Sequence, residues 1–248
     1  MNITSNTIFI PGATSGIGLA LALRFQAAGN TVVIGGRRAD LLEQLAAEHG
    51  LSTVTIDTTD AASVLSARDT VLAAHPNLNV LVAMAGIMAA EDVHTGDFLS
   101  TAERIVDTNI NGPLRLISAF TEHLQTRVDA TIMTVSSGLA FTPLAYFPTY
   151  NGTKAFIHQF SETLRLQLAN TSVKVIELVP PAVQTELVAG NSANEHYLPL
   201  DDFADEVIAL LTSQPAAKEI LVERVKFLRF AEVEGRYDAA VAALNPTA

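Results

Sequence analysis

Short apolar runs alternate with longer stretches of helical periodicity along this 248-residue chain. The runs are TIFIP (7–11), TVVIGG (31–36), STVTI (52–56), NVLVAM (79–84), ATIMTVS (130–136), VKVIELV (173–179) and EILV (219–222). Near-continuous apolar character over so few residues predicts strands buried on both faces. Helical patterns lie between them, near 16–28, 40–49, 60–74, 98–125, 150–170 and 201–213. This β-α alternation predicts an α/β fold, a doubly wound parallel sheet of about seven strands with helices on both faces and right-handed crossovers. No linker, low-complexity tract or internal repeat interrupts it, so residues 1–248 read as one domain. The segment TELVAGNSANEHYLPL (185–200) breaks the rhythm, as a surface loop or as a substrate lid. The stretch 224–248 reads as a final helix that covers a sheet edge or joins a neighbouring copy.

Composition narrows the chemistry. Hydrophobic residues make up 49% and charged residues 17%, which suits a compact globule. A net charge of −11 argues against nucleic acid or an anionic membrane as the main partner. There is no cysteine, which excludes disulfides, thiolate zinc sites and cysteine nucleophiles. Residues 1–23 carry no charged side chain, but Pro11, Gly12, Thr14, Ser15 and Gly16 interrupt them and no basic segment precedes them. The apolar run 79–90 is too short to span a bilayer. A soluble, cytoplasmic protein is expected.

Three local patterns carry chemistry. PGATSGIG (11–18) follows the first strand and opens the first helix. Its glycines, Gly12, Gly16 and Gly18, permit a tight turn and a close backbone approach, and the helix start offers N–H groups to a phosphate. The second strand ends in GGRRAD (35–40). An acidic residue there would bond the ribose 2′-hydroxyl of NAD, whereas Arg37 and Arg38 can clamp a 2′-phosphate, which favours NADP. Asp40 reads as the cap of the next helix, with Glu43 completing a capping box. In YNGTK (150–154), Tyr150 and Lys154 stand about one helical turn apart on one face. A nearby ammonium would favour the phenolate and lower the pKa of Tyr150.

Together these patterns resemble the short-chain dehydrogenases/reductases, and within them bacterial oxidoreductases labelled as D-alanine lipoteichoic-acid-associated. The resemblance runs from the first strand to about residue 222 and implies a Rossmann-type fold. It implies a pyrophosphate loop at Gly12, Thr14, Ser15, Gly16, Ile17 and Gly18, and adenine contacts at Asp57 and Thr58. Ala85 and Gly86 match its small-residue approach to the cofactor, while Pro180, Val183 and Thr185 match the segment at nicotinamide. It further implies a catalytic set of Asn109, Ser137, Tyr150 and Lys154, with Ser137 preferred over Ser136 because it lies thirteen residues before Tyr150. By that resemblance Tyr150 is the acid for ketone reduction and Lys154 lowers its pKa and bonds the nicotinamide ribose. Ser137 holds the substrate oxygen, and Asn109 positions a water that relays protons through Lys154.

The chain departs from the family pattern in two places. AMAG (83–86) replaces N-N-A-G, and Pro180-Pro181 replaces P-G, so the turn beside nicotinamide is expected to differ. A mainly apolar pocket is expected from GLAFTPLAYF (138–147), Ile87, Met88, Leu187 and Tyr197. The expected reaction is NADP(H)-dependent interconversion of an apolar ketone or aldehyde and its alcohol. The alternatives are a non-catalytic dinucleotide-binding module and an epimerase or dehydratase of related fold. No histidine pair has metal-ligand spacing, and His158 reads as structural. Glu91, Asp92 and His94 read as a solvated loop rather than a metal site. By resemblance, the helices at 98–125 and 150–170 pair copies into a homodimer or homotetramer.

Overall fold

The computed structural model describes residues 1–246. Seven strands form one parallel sheet: β1 (Thr7–Pro11), β2 (Thr31–Gly36), β3 (Ser52–Thr55), β4 (Val80–Ala83), β5 (Ala130–Val135), β6 (Val173–Leu178) and β7 (Glu219–Ile220). Their order is β3-β2-β1-β4-β5-β6-β7, and every pairing is parallel. The helices are α1 (Gly16–Ala27), α2 (Ala39–His49), α3 (Ala61–Ala74), α4 (Leu99–Val106), α5 (Gly112–Gln125), α6 (Pro148–Gln167) and α7 (Leu200–Ser213). Two short ones, α8 (Lys226–Arg229) and α9 (Tyr237–Leu244), follow.

Strand side chains alternate between the two faces, which makes two cores from one apolar run. Ile8, Ile10, Ile34 and Val82 pack with Leu21 and Phe25 of α1, Leu45 of α2 and Phe203 of α7. On the other face, Phe9, Val33, Leu81 and Ile132 pack with Val64 of α3, Phe120 of α5 and Leu164 of α6. The Phe9 and Phe120 rings lie 5.4 Å apart. Arg24 of α1 ties the first face together by pairing with Asp201 (2.9 Å) and Asp205 (2.6 Å) of α7. Strand order reverses between β1 and β4, which opens a crevice beyond their carboxyl ends, where ligands of such sheets bind.

Three expectations change, and the irregular segment 185–200 is seen in detail. The helix expected over 98–125 is interrupted by a wide π-type turn at Asp107–Asn111. Pro113 has no N–H for the Asn109 carbonyl, its α-helical partner, and the Gly112 N–H reaches back to Asp107 instead. Helix α2 starts two residues before the place a cap at Asp40 would give, so Arg38 occupies the cap position and its side chain makes no cap bond. Asp40 therefore lies inside the first turn, where it faces the helix dipole, and the capping box with Glu43 does not form. The segment 185–200 contains a short 3-10 turn (Asn191–Ala193) and is anchored by a parallel bridge between Val183 and Leu198. The stretch expected as one final helix holds α8 and α9, separated by a turn, and residues 247–248 lie outside the described residues. No helix among the described residues is long and apolar enough to cross a membrane.

Asp60 is a true cap, since its carboxylate accepts the Ala62 N–H at 2.9 Å. Asp60→Ala should lower the unfolding free energy by about 1 kcal/mol, and Asp40→Ala by less than about 0.5 kcal/mol, in urea titrations. Equal losses would contradict the helix boundary seen here.

Candidate active site

The crevice begins where β1 turns into α1. Gly12 has φ 86°, and a Cβ there would lie 2.9 Å from the Ala85 Cα beyond β4. Glycine thus meets two demands at once, a left-handed backbone and contact between the ends of two strands. Ser15 precedes α1 without a side-chain cap bond, and the first turn of α1 has no acidic residue. Its free N–H groups and positive dipole end suit a phosphate.

A cleft of about 760 Å³ runs from this loop toward the ends of β2 and β3. Gly12, Thr14, Ser15, Ala85 and Gly86 line its floor, and Arg37, Arg38, Asp57 and Thr58 line its far end. Arg38 Nη2 donates to Thr14 Oγ1 at 3.1 Å, which holds one guanidinium over the loop. The Asp57 carboxylate accepts from the Thr59 hydroxyl (2.7 Å) and N–H (2.9 Å). These bonds hold its pKa below the usual value, with Arg37 adding to the effect. Arg115 bonds the Thr58 carbonyl (3.2 Å) and Asp107 (3.0 Å), and so joins the loop after β3 to the π-type turn.

A second cavity of about 1430 Å³ continues this cleft past Gly16, Ile17 and Gly18 to Ser137, Tyr150 and Lys154. Pro180, Val183 and Thr185 form its opposite wall. Pro181 lines it too, and none of residues 180–185 has a positive φ, so the chain turns here without the left-handed residue that glycine would allow. Met84 fills the place of an amide and lines the cavity. Every site residue expected from the sequence faces this continuous cleft except Asn109, which is buried behind its wall. Asn109 Oδ1 accepts the Ile87 N–H (2.8 Å), and its Nδ2 donates to the Ile87 carbonyl (2.9 Å) and to Thr153 Oγ1 (3.2 Å). One amide thus fixes the loop after β4 against α6.

At the far end of this cavity, the turn after β5 delivers Ser137 and the start of α6 delivers Tyr150 and Lys154. Lys154 Nζ donates to the Val135 carbonyl at 2.9 Å and lies 5.5 Å from the Tyr150 ring centre. Both residues are 6% exposed. Burial pushes the Tyr150 phenol up to about 12, opposed by the neighbouring Ser137 hydroxyl. Burial likewise brings the Lys154 ammonium down to about 8. The expected lowering of Tyr150 by Lys154 is therefore not a property of the protein alone, because desolvation outweighs the hydrogen bond from Ser137.

Several side chains that support this site stand outside the sequence expectations. Glu177 is fully buried in β6. Its carboxylate accepts from the Ser136 hydroxyl and from His158 Nδ1 at 2.9 Å. The bond to Glu177 raises the His158 pKa. This carboxylate joins β5, β6 and α6 directly behind Ser137 and Lys154, so His158 is structural, as expected. Its signal was one acid inside the apolar run VKVIELV. Glu219 approaches the same cluster, but Arg229 occupies it at 2.8 and 3.0 Å. Ser136, Glu177 and His158 thus form one hydrogen-bonded chain, with the Arg229–Glu219 pair beside it. Glu91 does more than solvate a loop. Its carboxylate accepts from the Thr149 N–H (2.9 Å) and hydroxyl (2.8 Å), capping the otherwise uncapped start of α6. Asp92 and His94 are exposed, as expected.

The family model for short chain dehydrogenases matches residues 6–196. The chain belongs to this family. It is 44% identical over 193 residues to the uncharacterized oxidoreductase DltE of Bacillus subtilis (strain 168), covering 75% of each chain. A short chain dehydrogenase from Burkholderia cenocepacia J2315, solved with NADP, superposes with a TM-score of 0.83 over 100% of both chains at 23% identity. A 3-ketoacyl-(acyl-carrier-protein) reductase from Brucella melitensis, solved with NADH, gives 0.77 over 88% of this chain and 96% of that one at 25% identity. The protein is thus an oxidoreductase of the short-chain dehydrogenase family with a Rossmann-type fold, and the cleft fits that family's nicotinamide dinucleotide.

Burying Lys154 has a measurable cost. Its folded pKa of about 8 lies below its unfolded value of about 10.5, so the unfolded chain binds more protons between those two pH values. The destabilisation is complete below pH 8 and is relieved as pH rises toward about 10.5. Lys154→Met should therefore be more stable than the wild type at pH 7, by on the order of 2 kcal/mol, with the gap closing across that window. A gap independent of pH would contradict the buried ammonium.

Proposed function

We propose that this short-chain dehydrogenase is an NADP(H)-dependent carbonyl reductase acting on an apolar ketone or aldehyde, with the alcohol oxidation as its reverse. The observation that carries this reading is a single cleft joining Arg37 and Arg38 to Ser137, Tyr150 and Lys154. Bound NADPH supplies the hydride that reaches the carbonyl carbon. The chain's own residues manage the oxygen and its proton. Ser137 holds the substrate oxygen beside Tyr150, which donates its phenolic proton there as the carbonyl becomes an alcohol. A phenol pushed up to about 12 stays protonated until the oxygen gains charge. Lys154 then faces the phenolate, and with a pKa of about 8 it can pass a proton onward. The Asn109 amide is engaged by Ile87 and Thr153, so the relay implied by the family resemblance falls to its main chain.

Arg37 and Arg38 favour NADP through the 2′-phosphate. Apolar residues at the catalytic end, including Leu139, Leu144, Phe147 and Leu187, favour a hydrophobic substrate. The reading includes a homodimer or homotetramer, which exposed Leu99 of α4 and Phe156 and Leu166 of α6 would favour. Light scattering should then give two or four times the chain mass.

The direct test is oxidation of NADPH and NADH with a panel of apolar ketones and aldehydes. NADPH should support turnover, and Tyr150→Phe should lose at least about 100-fold in kcat. The double replacement Arg37→Ala, Arg38→Ala should weaken NADPH binding by about 10- to 100-fold and leave NADH nearly unchanged. Tight NADPH binding without turnover of any carbonyl would overturn the reductase reading in favour of a binding module. A wild-type preference for NADH would overturn the role of the arginines.

A further inference from the structure

The match to the family model ends at residue 196, yet the cavity beside Tyr150 is walled in part by residues well beyond it. Phe227, Leu228, Leu244 and Pro246 line that cavity together with Leu144 and Phe147. This terminal stretch, 223–246, is fastened to the loop after β5 by side-chain bonds and close packing. Asn245 Oδ1 accepts the Ala145 N–H (2.7 Å), and its Nδ2 donates to the Pro143 carbonyl (3.0 Å). Thr142 Oγ1 donates to the Leu228 carbonyl (3.2 Å). The packing is close enough that a Cβ on Gly138 would fall 2.8 Å from Leu228 and 3.0 Å from Val225. The Arg229 guanidinium lies 4.3 Å from the Phe141 ring centre and pairs with Glu219. A second tether, from the Arg224 guanidinium to the His196 carbonyl, reaches the irregular segment on the other side of the cavity.

Phe227 stands out within this wall. It is 48% exposed although it is a large apolar group, and it borders the cavity. Arg236 holds the ring from one side, with its guanidinium 4.9 Å from the ring centre and Nη1 bonded to the Phe227 carbonyl at 3.2 Å. A held but partly uncovered aromatic ring beside a cavity supplies apolar area that a ligand can bury. Among the described residues, two charged groups at this end, Glu186 and Arg224, are already engaged. Glu186 accepts from Gly190 and Ser192, and Arg224 donates to His196.

We propose that residues 223–246 form a subsite for an aliphatic chain, in which Phe227, Leu228 and Leu244 select the hydrocarbon portion of the substrate. Asn245 is its positioning residue, because it holds α9 on the loop that leads into Tyr150. The inference rests on the reductase reading for its substrate class, but its own test is binding. A carbonyl seated at Ser137 and Tyr150 then sends its alkyl chain toward α8 and α9, away from the nicotinamide end. Each further methylene that enters this wall gains burial.

The test is a series of 2-alkanones from four to ten carbons. Affinity for the NADPH-loaded protein is followed by cofactor fluorescence, and turnover is measured in parallel. Wild-type affinity should rise by about fourfold per methylene until the subsite is full. Phe227→Ala should flatten that rise for the longer ketones while leaving the four-carbon ketone and NADPH affinity within about twofold. Asn245→Ala should raise KM for long ketones by about tenfold with kcat nearly kept. Asn245→Asp, which keeps the acceptor for Ala145, should restore part of that loss. A wild-type series without length dependence, or one that Phe227→Ala leaves unchanged, would overturn the subsite. Length-dependent binding that Phe227→Ala flattens, with no turnover, supports the subsite and sinks the reductase reading instead.

Discussion

The site depends on the burial of a phenol and an ammonium together, with no carboxylate bonded to either among the described residues. Tyr150 and Lys154 share one face at the start of α6, and that face is pressed against the end of β5. Desolvation then drives their pKa values in opposite directions, the phenol to about 12 and the ammonium to about 8. Each group is held in its less charged form more strongly than in water. Such a pair is costly to fold and ready to respond to charge that arrives with ligand or substrate.

The surrounding structure keeps that pair in place. Glu177 binds Ser136 on one side and His158 on the other, and so locks β5 to α6 just behind the reactive groups. Asn109 locks the loop after β4 to the same helix through Ile87 and Thr153. Glu91 caps the helix start through Thr149. Three polar side chains from three other segments thus converge on one helix. Buried polar groups of this kind fix geometry when every member is bonded.

The sheet was legible because strands buried on both faces leave a strong apolar signature, and β2 was read with the boundaries Thr31 and Gly36 that the structure has. The cleft residues were legible because they lie on the chain turns that a doubly wound sheet dictates, and Gly12 shows both demands made on that turn. Other features were hidden. The turn at Asp107–Asn111 depends on Pro113 and on the bonds of Asn109, and helical periodicity runs through both without a break. The Tyr150 shift was misjudged because sequence spacing reveals the neighbouring charge but not the water lost on burial. Glu91, Glu177 and Asn245 act across 58, 41 and 100 residues of chain, separations that no local pattern records.

The central claim is that burial holds Tyr150 protonated in the protein alone; the proposed reductase reading adds that the positive nicotinamide of NADP⁺ would lower its pKa. The most direct measurement is a spectroscopic titration of the phenolate, with the Tyr150→Phe variant subtracted, in the absence and presence of NADP⁺. The account predicts no Tyr150 phenolate below a pH of about 10 in the free protein, and a titration at least about two units lower with NADP⁺ bound. Superimposed titrations, or a free phenol that already ionises near neutral pH, would contradict it.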